Sequence, residues 1–524
     1  MWFSQQTKNN NIRILFILAI LAVLLLPILL PLSRNGFFVS DDGEWMIIRL
    51  SAFYEVLRDG QVPARFLQRL NQGFGYPVAN FLYPGFLYLG VPIHVLGFSF
   101  TSSIKILMAG SFLASSYFMF FWLRKFFNDV SSLVGSLFYS YAPYHVYDLY
   151  TRGSVGELLA LAILPFILWQ LERRSAFLAM LGIGLLLISH NTLAIFFLGV
   201  LVLVSILDIC VAKDRKEALL WYLPVFIIGT GLAAFFWVPA LFDLQFTIFS
   251  ETEIGNWREY FSDLRLVGMQ TYLIFTASLA VFFLHRVRPS KHRLTLLLLF
   301  VGLVSTFLAT PMSAFLWEIL PVSFVQFPFR FLSVSIVSAS FLIAFLFSVF
   351  KKTEQVIGGV LVVLLATFSL WPVLTGIQYI DKPDSYYSTN LDTTTVHQEY
   401  MPRWVKEIPE KWENKKVVTY QGKVDEIATT ANSISFQSNG SGEYVIQKVY
   451  FPGWHATIDG RSIPISYENP KGLISLMLPE GSHRVELRFS ETPLHLVSDV
   501  ISVFSLAIVL TIGIRRLGFP LNIP

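Results

Sequence analysis

Three acids, Asp41, Asp42 and Glu44, stand in the stretch SDDGEWMIIRL (40–50), just after the first long apolar run. A carboxylate at such a boundary is partly desolvated, which raises its basicity. It could then take a proton from an incoming hydroxyl group. The same spacing fits a pair of solvated loop acids, or an N-cap for a helix starting near Glu44. The stretch that follows, LRDGQVPARFLQRLNQGFGYPVANFLYPG (57–85), combines Arg58, Arg65 and Arg69 with Asn71, Gln72, Tyr76 and Asn80. Aromatic faces, amide donors and cations are what a sugar site needs. An interfacial belt of aromatics with snorkelling arginines uses the same residue types.

Three more groups carry chemistry. YAPYHVYDLYTRGSVGE (141–157) holds Tyr144, His145, Asp148, Arg152 and Glu157; its bland reading is a hydrogen-bond cluster that ties two helices together. SHN (189–191) breaks two apolar runs, where His190 either caps the turn or meets a substrate. QFPFR (326–330) sets Arg330 at a helix start after Pro328, with Gln326 beside it. An arginine there can grip a phosphate bidentately or serve as an interface anchor. Arg49 joins Arg65, Arg152, Arg330, His190, Gln326 and Tyr76 as candidate substrate or phosphate contacts. Trp454 and His455 in FPGWHATIDG read as core and turn residues.

The elements that position these groups follow from composition. Of 524 residues, 54% are apolar and only 14% charged, against about 25% in an average soluble domain. Mean hydropathy is +0.59. The chain is therefore a membrane protein. Its net charge of +4 is spread between apolar runs, which argues against a nucleic-acid partner. One cysteine, Cys210, rules out an internal disulfide and a cysteine-rich metal site. NIRILFILAILAVLLLPILLPL reads as an uncleaved first span rather than a signal peptide. Runs of about 20 apolar residues predict twelve spans, near 12–32, 101–122, 130–147, 156–172, 175–189, 191–211, 217–242, 266–284, 294–311, 328–350, 355–374 and 495–514.

The stretch 81–98 is apolar but contains Pro84, Pro92 and His94. If it does not span and the N-terminus is cytoplasmic, every short basic cluster falls on the cytoplasmic side. These are Arg124/Lys125, Arg173/Arg174, Lys213/Arg215/Lys216, Arg286/Arg288/Lys291/Arg293, Lys351/Lys352 and Arg515/Arg516. It is therefore read as interfacial or re-entrant, with both termini inside a multi-pass plasma-membrane protein. Two large segments then lie outside, the first loop (33–100) and 375–494. The latter alternates like strands (SHRVELRF) between NG, DG and EG turns. The expected organisation is a transmembrane unit (1–374), an outer, mostly β domain (375–494), and a last helix with tail (495–524). There is no P-loop, no G-x-G-x-x-G after a strand and no cytoplasmic Asp-x-Asp loop. Chemistry is thus expected on the outer face, with a lipid-carried substrate.

The order of DGEWMIIRL, RDGQVPARF, GFGYPVANFLYPGFLYLG, YAPYHVYDLYTRGSVGE, ISHNTLA, VQFPFRFLS and HQEYMPRW resembles GT-C type membrane glycosyltransferases. More narrowly, it resembles the bacterial proteins grouped as 6-pyruvoyl-tetrahydropterin synthase-related, a label that implies no pterin chemistry. YFPGWHATIDG and the segment after it are similar to the tail of YfhO-like proteins. The resemblance implies a GT-C-like fold with a first-loop Asp as catalytic base or acceptor-positioning group. Asp42 best matches that place and Asp41 is the alternative. Related loops carry a His four residues on, where this chain has Met46. The second loop is expected to supply another acid, Asp148 or Glu157.

The implied reaction moves a sugar from a polyprenyl-phosphate donor to an outer glycan, lipid or protein acceptor. The leaving phosphate departs already ionised, so the protein must supply a base and cations. Direct displacement inverts the anomeric centre. Paired acids also suit Mg²⁺ or Mn²⁺, though nothing in the sequence requires one. The rival readings are a lipid-linked glycan transporter or flippase, and a non-catalytic envelope scaffold. A coupled transporter usually carries ionisable residues at mid-span, and these spans have almost none.

Overall fold

The computed structural model describes residues 2–252, 257–284, 289–319, 325–410 and 415–516. Arg286 and Arg288 of the basic segment, and the tail beyond Arg516, lie outside the described residues. The chain is a polytopic helical protein with a β region before its last helix. Each of the twelve predicted segments is built around helix, because an apolar run satisfies its backbone only by coiling on itself. Seven helices among the described residues are long and apolar enough to cross a membrane. The count is nine if each of two bent pairs forms one span. Ala176–Ser189 and Met269–Phe283 are apolar but shorter. The 130–147 segment stops as a helix at Tyr141, before Pro143.

One bend shows how a broken span is kept satisfied. Arg215–Leu232 and Ala234–Phe246 meet at 68°. The break frees the Gly231 carbonyl and the Phe235 N–H. Ser502, from the last helix (Pro493–Arg516), accepts from that N–H at 2.8 Å and donates to that carbonyl at 3.1 Å. The 81–98 stretch contains the helix Gly85–Val95, whose eleven residues cover about 16 Å. That is roughly half of a hydrocarbon core.

Strand β1 (Phe37–Phe38) pairs antiparallel with β2 (Tyr379–Ile380) and joins the first loop to the segment after the Lys352–Thr375 helix. Eight further strands follow: β3 (Val417–Thr419), β4 (Lys423–Thr429), β5 (Ser433–Asn439), β6 (Gly442–Val449), β7 (Trp454–Ile458), β8 (Arg461–Ile463), β9 (Leu473–Leu478) and β10 (Ser482–Phe489). They form two antiparallel sheets, ordered β4-β5-β10-β7-β8 and β3-β6-β9. The alternation in SHRVELRF buries Val485, Leu487 and Phe489 and exposes Arg484, Glu486 and Arg488. Trp454 is buried in the core, and His455 is exposed on β7.

The β region and the first loop share one apolar core. Phe66 of the loop is fully buried, stacked on Phe489 at 5.2 Å and edge-on to Trp454 at 5.8 Å. Lys448 of β6 reaches the same loop, and its Nζ donates to the carbonyls of Gln68 and Gly73. Burial, with the nearby Lys416 charge adding to it, pushes the Lys448 amine down to about 7. An unfolded lysine titrates near 10.4. Between those values the unfolded chain holds a proton that the folded chain has released, so stability rises with pH there. The thermal midpoint of the purified protein should therefore climb from pH 7 to 10 by more than that of Lys448→Met, measured side by side.

Candidate active site

The acidic turn is sewn to the 148–157 segment before any side chain is considered. The N–H groups of Asp41 and Asp42 donate to the carbonyls of Thr151 and Arg152, both at 2.9 Å. Residues Asp148–Arg152 make a π-helical turn that ends at Gly153, with φ +65°. A Cβ on Gly153 would stand 2.5 Å from Ser40 Oγ and 3.0 Å from the Gly43 backbone. Only glycine allows this approach.

Asp42 precedes the helix Gly43–Arg58, but its side chain caps no helical N–H. Its Oδ2 instead accepts from Arg152 Nη2 at 2.7 Å, and Asp41 Oδ2 accepts from Nη1 at 3.2 Å. The Arg152 guanidinium lies over the rings of Phe327 and Phe329, 5.1 and 5.6 Å from their centres. Burial alone would lower the Arg152 pKa, but the surrounding carboxylates, Asp42 foremost, hold it above its usual value. Between the paired acids, then, the cation is a guanidinium. Among the described residues no three His, Cys, Asp or Glu side chains are grouped as metal ligands.

Arg330 lies over the same Phe327 ring, at 4.8 Å. Its Nε donates to Glu157 Oε1 at 3.1 Å, and its Nη1 to Val325 O and Gln326 Oε1, each at 3.0 Å. Gln326 sits in the left-handed region, with φ +64°. Glu157 is fully buried in the first turn of the Val155–Glu172 helix and also accepts from Tyr144 Oη at 3.0 Å. His190 Nδ1 accepts the Leu193 N–H at 3.2 Å, so the proton is on Nε2, which points at Glu157 Oε1 from 3.4 Å. His190 thus both caps a helix and joins the network.

Asp148 lies beside Glu157 but differs from it. Neither Asp148 oxygen, both fully buried, receives a donor among the described residues. Burial first, and the neighbouring Glu157 charge second, push its carboxyl well above the usual carboxylate range. Of the two candidate second acids, Glu157 is paired with cationic and neutral donors, whereas burial and Glu157 bias Asp148 toward its protonated form. Two guanidinium nitrogens make no hydrogen bond among the described residues, Arg152 Nε, which is shut from solvent, and Arg330 Nη2.

Asp41, Asp42, Arg152, Glu157, His190, Gln326 and Arg330 thus meet in one network, with Asp148 at its edge. Arg65, Arg49 and Tyr76 are engaged elsewhere. Arg65 donates to Glu491 (2.7 Å), Asp499 (3.1 Å), Asn80 (3.2 Å) and Phe235 O (3.0 Å). Asn80 and His495 then share Asp243, at 2.7 and 2.8 Å. Arg49 holds Thr394 through its Oγ1 (2.9 Å) and its carbonyl. Tyr76 Oη contacts Thr395 Oγ1 and the Tyr400 N–H, both at 3.0 Å. Their donors serve long-range packing contacts that the sequence order hides.

Two residues of the site went unselected in the sequence. Phe327 lies beneath both arginines. Tyr83 packs on His190 at 4.6 Å between ring centres and fills the space left by Gly156, where a Cβ would be 2.2 Å from its ring. Burial pushes the Tyr83 phenol up to about 12, with Arg49, Asp42, Glu157 and Arg330 all close enough to act on it. The signal was the break YPG at 83–85, which turns an aromatic out of an apolar run.

No protein-family model matches this chain, and no curated protein matches it. Solved structures do show similarity. The arabinofuranosyltransferase AftD from Mycobacteria is 16% identical with a TM-score of 0.47, covering 68% of this chain and 26% of that one. ArnT from Cupriavidus metallidurans, bound to undecaprenyl phosphate, is 14% identical with a TM-score of 0.43, covering 70% and 66%. The Archaeoglobus fulgidus oligosaccharyltransferase is 15% identical with a TM-score of 0.40, covering 72% and 53%. This chain thus spans about a quarter of the length of the AftD chain. None of the three supplies a residue assignment for it.

Glu157→Gln removes the charge that faces Arg330, itself only 5% exposed. An uncompensated buried charge costs about 3–5 kcal/mol, so the thermal midpoint in lipid should fall sharply. Asp148→Asn, which replaces an acid biased toward its protonated form, should leave it nearly unchanged.

Proposed function

We propose that the chain is an integral-membrane glycosyltransferase that moves a sugar from a polyprenyl-phosphate donor to a hydroxyl acceptor. The reaction takes place at the end of the helices that carries the β region. The distribution of basic clusters supports this end as the outer face.

What carries the reading is one convergence. A carboxylate pair, two aromatic-backed arginines, and the ends of the Val155–Glu172 and Pro328–Ser348 spans meet in one place. A lipid-linked phosphate sugar presents its reacting carbon at that depth, with its tail among apolar helices. The acceptor oxygen bonds to the anomeric carbon as the carbon–oxygen bond to phosphate breaks. The hydroxyl proton passes to Asp42, with Asp41 as the alternative base. The polyprenyl phosphate leaves with the bonding pair, and its added charge meets Arg330 and Arg152. Single displacement inverts the centre. The salt bridge to Arg152 uses one oxygen of Asp42 and fixes the direction of the other.

Positioned general bases contribute about 10²–10⁴ in rate. Transfer of labelled sugar from a panel of polyprenyl-phosphate sugars, with purified protein in lipid, should therefore fall by that factor in folded Asp42→Asn. Full activity in that variant would remove Asp42 from the role, and Asp41→Asn measured alongside tests the alternative. No transfer from any donor by folded protein would favour a lipid-glycan transporter or scaffold.

A further inference from the structure

A second polar site lies away from the Arg152 network. A cavity of about 170 Å³ opens between the first-loop turn and the segment 392–410. Asn71 and Gln72 form one side, and Asp392, Thr393, Gln398 and Glu410 the other. Nothing in the proposed transfer step uses them.

The lining chemistry selects a class of ligand. It has two carboxylates, three amides and a hydroxyl, with no lysine, arginine or histidine among them. Among the described lining residues an anionic group would meet two acids and no cation. An apolar group would strip water from polar atoms without replacing their hydrogen bonds. A neutral, hydroxyl-rich ligand fits both constraints, because each hydroxyl donates to a carboxylate or amide oxygen and accepts from an amide N–H. Ile408 and Pro409 add a short apolar wall for the C–H face of a ring. The volume is below the roughly 300–1,000 Å³ of pockets that enclose drug-sized molecules, and suits a single sugar unit or a chain end.

The walls are held before any ligand arrives. Gln72 N–H donates to Leu391 O at 2.8 Å, and Met401 N–H to Gln398 O at 2.8 Å. Arg49 grips Thr394, and Tyr76 grips Thr395 and Tyr400. Asn71, Gln72 and Gln398 all sit in the left-handed region, at φ +57°, +55° and +52°. Such strain persists only where surrounding contacts impose it, and it gathers at ligand clamps.

We propose that this cavity binds a neutral sugar unit, as the docking point of the acceptor glycan. The acceptor role rests on the transfer reading above; the capacity to bind a sugar does not. The test is saturation-transfer NMR on the full chain in nanodiscs. The probes are the methyl glycosides of mannose, galactose, glucose and arabinose, with inorganic phosphate and Ca²⁺ as competitors. The expected result is a saturable signal from at least one glycoside, untouched by phosphate. It should weaken about tenfold in Gln398→Ala and in Asp392→Asn, the loss of one or two hydrogen bonds to the ligand. Asp392 and Glu410 are exposed, so Asp392→Asn and Glu410→Gln keep the test open should Gln398→Ala fail to fold. No signal from any glycoside, or a signal equal in all three variants, would overturn the assignment. So would Ca²⁺ displacing the glycoside and itself losing affinity in Asp392→Asn. Glycoside binding here without sugar transfer in the lipid assay would keep the cavity and remove its acceptor role.

Discussion

A guanidinium cannot shed its proton inside a protein, so a buried arginine that has carboxylates beside it depends on them. Arg152 imposes that constraint on this molecule. It draws Asp41 and Asp42 from more than a hundred residues upstream and presses against Phe327 and Phe329 from nearly two hundred downstream. Three remote segments are thereby fixed at one end of the helices. The acids of the opening stretch are explained by the same need. A Ser or Asn in place of either would leave part of a buried positive charge unanswered.

The protein uses its buried arginines in two ways, and the difference lies in their donors. Arg65 has its Nε and both Nη groups taken, by two carboxylates, an amide and a backbone carbonyl. It can do nothing but hold the first loop to the last helix. Arg152 Nε and Arg330 Nη2 make no hydrogen bond among the described residues, and both guanidinium groups lie over one aromatic ring. Rigid support on an aromatic face holds both guanidinium groups in place without further ordering. The carboxylates divide similarly, with Glu157 surrounded by donors and Asp148 set against Glu157 itself.

The helices were legible because apolar length is a property of consecutive residues. Strand alternation in SHRVELRF was legible for the same reason. The 68° bend was not, since it depends on Ser502, 267 residues beyond Phe235. Nor was the shared core of the first loop and β region, which rests on Phe66 meeting Phe489. Within the site, charge in an apolar chain is costly, so each isolated charge was informative. Asp41, Asp42, Arg152, Glu157 and Arg330 could be picked by type alone and do converge. The same rule could not say which arginines would be occupied elsewhere, and Arg49 and Arg65 found partners 345 and 426 residues away. Tyr83 carries no charge and so gave no such sign.

The partners of Arg65 set an order of events during synthesis. Glu491 and Asp499 are made 426 and 434 residues after it. Asp243 waits in the same way for His495. A growing chain can insert its earlier helices one by one, yet Arg65 stays without these carboxylates until residues 491–499 have emerged. Docking of the first loop onto the Pro493–Arg516 helix is therefore a late event, later than insertion of the helices that precede it.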